Sequence, residues 1–252
     1  GALVYDPQRE QLWLIGGNSS GNGASWRPLN DVWRFDIATE TWTEEVFDNV
    51  FEPRLFHTAL YDHVRDQIVL FGGADNSAFT GTVEYFSDVW ALDLARVSWA
   101  RLHPGGVDAP DGRFWGRWVH DTERDRYLLF GGHDDESLGN RNDAWEYAPL
   151  EATWTTLGLG DQENAPPNGF CDFPADFTII DPDLPERRNA HTFFWSPTCG
   201  HGVLFGGKTD CGAIDDVWTY ADGVFTETQT ALEGEVCHRW RNNPDNCFNM
   251  CL

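Results

Sequence analysis

The chain has 252 residues, 41% of them hydrophobic, which is enough for a packed core and argues against general disorder. With 41 acidic residues against 17 basic ones it carries a net charge of −24. Phosphate binding needs a basic stripe, so nucleic acid is excluded as an expected partner, and the charge favours solubility and basic or cationic partners. No apolar run approaches the roughly 18 residues of a membrane helix, so no membrane span is expected. No basic-plus-apolar leader opens the sequence, and any targeting peptide is expected to be removed or never present.

The predicted elements follow one another in a repeating order. "ALVYDPQREQ" reads as a strand and an acidic turn, and "LWLIGG" as a strand closed by Gly16-Gly17. A polar loop leads to "NDVWRFDIATETW", two strands joined by a short turn, the second carrying Trp42. The next unit repeats this as strands over residues 54–62, 67–73, 88–94 and 98–102, with Gly72-Gly73, "SDVWALD" and Trp99. A third unit has "WVHDTERDR", "YLLFGG" at Gly131-Gly132, "NDAWEYA" and Trp154. After an insertion over 158–187 comes a fourth, with "TFFWSPTCGH", Gly206-Gly207, "DDVWTYA" and Phe225. The glycine pairs lie 56, 59 and 75 residues apart. β-branched and aromatic content and Asp/Gly/Asn turns support strands throughout, and no segment has a convincing helical period.

A four-stranded unit at this spacing is the mark of a β-propeller blade. The sequence resembles the kelch family: a glycine pair after a hydrophobic strand, the Asp-x-Trp strand, a following aromatic, and Arg-x-x-His at Arg54–His57 and Arg188–His191. The resemblance implies an all-β, kelch-type β-propeller with four recognisable four-stranded blades, about 2–46, 54–102, 113–157 and 188–227. A Cys-containing C-terminal tail, 228–252, follows. Kelch-like propellers usually have more blades, and the first unit lacks its own Arg-x-x-His. The expectation is therefore a part of a larger ring, or a ring completed by another chain, with closure by four blades as the competing option.

The repeated motifs have structural tasks. Glycine pairs allow positive φ or close approach, and the Trp of each Asp-x-Trp packs between sheets. Asp31, Asp88, Asp143 and Asp216 are expected to accept backbone N–H groups at the turns before that strand. Arg54, His57, Arg188 and His191 are channel candidates, the histidines read mainly as structural hydrogen-bonding groups. The third unit keeps Arg113 but has Gly116 in place of His.

Function is sought where the copies differ. The loops after the second and fourth strands of each unit are long, so all of them emerge on one face, where binding commonly resides. Trp26, Arg27, Phe79, Tyr85, Phe86, His133, Asp134, Asp135 and Glu136 are the candidates there, joined by the insertion. Exposed aromatics beside acids can grip a protein or a glycan. The leading expectation is a non-enzymatic binding or scaffold protein; the alternative is a secreted carbohydrate-acting or metal-dependent enzyme at the channel mouth.

The resemblance also permits residue tests of enzyme precedents. Copper-radical oxidases need a Tyr–Cys crosslink, yet every cysteine here lies after residue 170. The iron-binding Glu-x3-Asp-x3-His pattern of plant specifier proteins finds Glu84 and Asp88, but Leu92 holds the His position. No catalytic residue, metal ligand or cofactor is assigned. Calcium at Asp134–Glu136 or Asp181–Asp183 is a weaker alternative that departs from EF-hand spacing.

Cys171, Cys199, Cys211, Cys237, Cys247 and Cys251 cluster in the last third. Their even number in loop-like sequence favours disulfides and an extracytoplasmic or secreted setting. Zinc on Cys237, His238, Cys247 and Cys251 is the alternative, although the spacing matches no common module.

Overall fold

The computed structural model describes residues 1–19, 27–75, 83–134, 139–163, 178–179, 181–209 and 212–229. Among these every regular element is a strand. The chain forms two compact units, Gly1–Phe114 and Trp115–Leu252.

The first unit holds two four-stranded antiparallel sheets in simple up-and-down order. One comprises β1 (Ala2–Asp6), β2 (Gln11–Asn18), β3 (Pro28–Asp36) and β4 (Thr41–Glu45). The other comprises β5 (Thr58–Asp62), β6 (Gln67–Phe71), β7 (Val89–Asp93) and β8 (Ser98–His103). In the second unit β9 (Arg117–Asp121), β10 (Arg126–His133), β11 (Asn140–Ala148) and β12 (Thr153–Gly158) form a third sheet. A two-stranded ribbon, β13 (Gln162–Glu163) with β14 (Thr178–Ile179), lies in the insertion. The fourth sheet is β15 (Thr192–Ser196), β16 (His201–Phe205), β19 (Val217–Ala221) and β20 (Val224–Gln229). A small ribbon, β17 (Lys208–Thr209) with β18 (Gly212–Ala213), interrupts it. The fold class read from the sequence is thus the one adopted: four four-stranded antiparallel blades.

Alternation explains the packing, because successive side chains on a strand face opposite sides. Val4, Trp13, Ile15 and Val32 on one face of the first blade meet Ile68, Leu70, Trp90, Leu92 and Trp99 of the second in one core. The second unit repeats this with Val119, Leu128, Phe130 and Ala144 against Phe193, Leu204, Trp218, Tyr220 and Phe225.

The acidic turns do as their sequence suggests. Asp6, Asp62 and Asp121 each accept two backbone N–H groups of the following turn, as Asp93 does in a later hairpin. Arg9 joins the two blades of the first unit, with Nη1 2.8 Å from Asp66 Oδ1. That guanidinium holds the Asp66 carboxyl below its ordinary range.

The second glycine of the pair in the second blade has a specific steric reason. Gly73 has φ +94, and a Cβ there would stand 2.7 Å from the Leu55 carbonyl oxygen and 3.0 Å from His57 Cβ. Gly73→Ala should lower unfolding free energy by about 1–3 kcal/mol, combining left-handed strain with this clash. Gly106→Ala, at φ +98 with nothing within 4 Å of the added carbon, isolates the conformational part and should cost less. Urea midpoints of the two variants check the order.

Candidate interaction surface

The residues expected to line a channel are instead deep in the fold. Arg54 is fully buried, and its Nη1 donates to Asp88 Oδ1 at 2.7 Å and to the Gly72 carbonyl at 3.1 Å. Nη2 reaches Asp88 Oδ2 at 3.2 Å, and Nε donates to the Glu52 carbonyl. The guanidinium lies over the Phe86 ring, 4.1 Å from its centroid. Arg188 repeats the arrangement: Nη1 to Asp216 Oδ1 at 2.5 Å and to the Gly206 carbonyl, Nη2 to Asp216 Oδ2 at 2.7 Å. Each is a two-pronged, charge-assisted contact that ties the entry of a blade to its third strand.

The Asp-x-Trp aspartates differ from expectation. Their carboxylates accept the indole N–H two residues on: Trp33 donates to Asp31, Trp90 to Asp88, Trp145 to Asp143 and Trp218 to Asp216, at 2.7–2.8 Å. Residues i and i+2 of a strand share a face, so one carboxylate can orient a large ring and, in two blades, hold an arginine.

The histidines explain why the glycines come in pairs. His57 Nε2 lies 3.0 Å from the Ile15 carbonyl of the preceding blade. The space for its ring exists because Gly16 has no side chain; a Cβ there would lie 3.2 Å from His57 Cε1. On its other side, Gly73 of its own blade leaves room for the His57 Cβ. His191 sits in the same way between Gly131 and Gly207. Neither imidazole is solvent-facing. Burial above all, with Arg54 among the neighbouring positive charges, pushes His57 down to about 3. Burial, then Arg188 and Arg117, holds His191 well below its ordinary value.

The clasp supports the loop-bearing end of the sheets, where the strands leave for the second-to-third and fourth-to-next connections. Arg27 is exposed at the end of the first long loop; its N–H donates to Asn18 Oδ1 at 2.9 Å. Tyr85 is half-buried, bridged to Ala74 and stacked on Phe114 at 5.7 Å. Phe86 is likewise half-buried beneath Arg54, with its N–H on the Gly73 carbonyl. His133 contacts Asn140 Oδ1 through Nδ1 at 3.0 Å. Asp134 is buried and ion-paired with Arg141. Trp26, Phe79, Asp135 and Glu136 lie outside the described residues. So do all the cysteines except Cys199, which is exposed at the turn between β15 and β16.

The insertion is only partly a surface feature. Leu184 enters the core of the second unit, and buried Arg187 lies 3.3 Å from buried Asp161. Asn142 donates to Asp161 Oδ1 and to the Pro185 carbonyl, fastening the insertion to β11. Among the described residues no three His, Cys, Asp or Glu side chains come together as a metal site.

One position escaped sequence reasoning, the third of the Arg-x-x-His element. Phe56, Trp115 and Ala190 occupy the same position in three blades, and all are left-handed, at φ 59, 58 and 51. Phe56 is half-buried and 5.7 Å from Phe114, which itself stacks on Tyr85. A bulky aromatic at positive φ carries strain that directs attention to that spot. The available signal was an aromatic at the third position of a motif whose first and last residues are buried.

Blades built on a glycine pair, an Asp-x-Trp strand and an Arg-x-x-His clasp define a kelch-type β-propeller chain. Residues 3–173 match the KLHDC2/KLHL20/DRC7 Kelch-repeats domain. The chain belongs to the Kelch-repeat family. It is also similar to a Kelch repeat-containing protein of Arthroderma benhamiae, with 25% identity over 118 residues. That match covers 45% of this chain and 18% of the relative's length.

Proposed function

We propose that the chain is a non-enzymatic scaffold that holds a protein segment at the long-loop end of its second blade. The observation carrying this reading is the aromatic series Phe56–Phe114–Tyr85, half-buried at its two ends, with Phe56 two residues from buried Arg54 and Tyr85 beside Phe86, the ring that Arg54 covers. Aromatics on a rigid support bind with little loss of side-chain freedom, the usual make-up of an interface hot spot. The same loops carry Glu52, Asp75, Glu84 and Asp111, and the net charge of −24 extends their field. The partner that fits is a peptide segment combining an aromatic or aliphatic anchor with Lys or Arg. Six cysteines in the last third suit an extracytoplasmic setting for this exchange.

Panning a random peptide library on the immobilised chain tests the reading. Recovered peptides should be rich in basic and aromatic residues, and Tyr85→Ala should weaken them tenfold or more, about 1.4 kcal/mol. Trp42→Ala, on the outermost strand of the first blade, should leave their affinity unchanged. Peptides that bind Tyr85→Ala as tightly as the parent chain would sink the assignment.

A further inference from the structure

The link between the two blades of each unit shows how the chain covers the aromatic of an outer strand. In the second blade that aromatic is Trp99, which the register sets beside Leu92. The link from the first blade lays Phe51 edge-on against it at 5.1 Å and Phe47 at 6.3 Å, with Val50 packed on the same core. Phe225 holds the same register position in the fourth blade, beside Tyr220. The link from the third blade brings Leu184 into that core, but the residues just before it are Asp181, Pro182 and Asp183. Here the fold leaves a cavity of about 460 Å³.

Leu157, Leu184, Trp218 and Phe225 supply the apolar walls of this cavity, and Asp181 and Asp183 border it. All six belong to the second unit. The volume falls within the roughly 300–1,000 Å³ usual for small-molecule pockets, which combine an apolar, aromatic lining with a few polar groups that fix orientation. Asp181 Oδ1 accepts the Asp183 N–H at 3.1 Å, which anchors one carboxylate in the turn. The turn aspartates Asp6, Asp62, Asp93 and Asp121 each pair with the arginine three residues on. Three residues after Asp181 stands Leu184, and among the described residues neither Asp181 nor Asp183 is ion-paired. A ligand that completes this site brings an apolar ring for the walls and a cation for the carboxylates. An anion would meet like charge, in a chain of net charge −24.

We propose that this cavity is a binding site for a small aromatic amine. The ring packs against Phe225 as Phe51 and Phe47 pack against Trp99, and the ammonium faces Asp181 and Asp183. The site lies in a different unit from the Phe56–Phe114–Tyr85 series and does not depend on the peptide-binding reading.

Calorimetric titration of the full chain with 2-phenylethylamine should give a Kd of about 1 mM or tighter. 2-Phenylethanol, which keeps the ring and loses the charge, should bind about tenfold more weakly or worse. The amine should weaken to the same extent on Asp181→Asn/Asp183→Asn, in which asparagine keeps the acceptor of the turn. Glu44→Gln/Glu151→Gln removes the same charge from exposed positions elsewhere and should bind the amine as the parent does, as should Tyr85→Ala. A parent chain that does not bind the amine at millimolar concentration overturns the proposal, as does equal binding of the alcohol. Equal losses in the two double variants overturn it too, since the net charge alone would then attract the amine. Gly-Lys-Gly bound more tightly than the amine would also overturn it, assigning the cavity to a lysine side chain of a protein.

Discussion

Asp216→Ala should lower the unfolding free energy of the second unit by about 3–5 kcal/mol, the largest effect expected of any single substitution considered. The carboxylate is fully buried, receives both arms of fully buried Arg188, and accepts the Trp218 indole N–H. Its removal leaves a guanidinium without its counter-charge and an indole donor without its acceptor. Charge and desolvation therefore act in the same direction. Arg188→Met combined with Asp216→Leu should recover much of the loss, because an apolar pair of similar volume leaves no buried charge behind. Arg96→Ala removes an ion pair, with Asp93, at a position where Arg96 is 81% exposed, and should cost less than about 1 kcal/mol. Urea denaturation of the three variants reads all of these.

Acid should destabilise the protein before its carboxylates titrate. His57 and His191 are neutral in the fold, held below their ordinary value by burial. The unfolded chain, with histidine pKa near 6.5, takes up protons that the folded chain refuses once pH falls below that value. The unfolded state then binds more protons, so stability is complete above about pH 6.5 and declines as pH drops. His57 contributes a slope of about 1.4 kcal/mol per pH unit, or about 2 kcal/mol between pH 6.5 and 5, and His191 acts in the same direction. For His57 the decline continues toward its folded value of about 3. His57→Gln should flatten the profile of the first unit, whatever its effect at pH 7. A stability unchanged between pH 7 and 5 in the parent chain would contradict buried neutral imidazoles.

Much of the architecture was legible because a blade must repeat what it needs. The glycine pairs and Asp-x-Trp strands gave strand order and blade number, since each is required every time one sheet packs on another. The partners of those motifs were harder to read. Turn chemistry pointed the Asp-x-Trp aspartates at backbone amides, whereas a strand's two-residue period places the Trp indole within reach of the same carboxylate. Arg54 and His57 looked like channel residues because charge and imidazole suggest function; their burial follows from Asp88 and the paired glycines, which lie far off in sequence. Asp134 seemed part of an acidic loop but is ion-paired with Arg141, which the register sets opposite Gly132, two residues before it; no local pattern encodes that. Phe56 was passed over because its left-handed backbone has no sequence mark besides its place in the motif.

The central claim divides the chain into residues that recur and hold blades together and residues that do not recur and hold a partner. One paired measurement addresses it directly: protease resistance and affinity for a panned peptide, read on Asp88→Ala and Tyr85→Ala alongside the parent chain. The account predicts that Asp88→Ala loses both properties, whereas Tyr85→Ala keeps its protease resistance and loses the peptide. An Asp88→Ala chain as resistant as the parent, or a Tyr85→Ala chain that still binds the peptide, would contradict it.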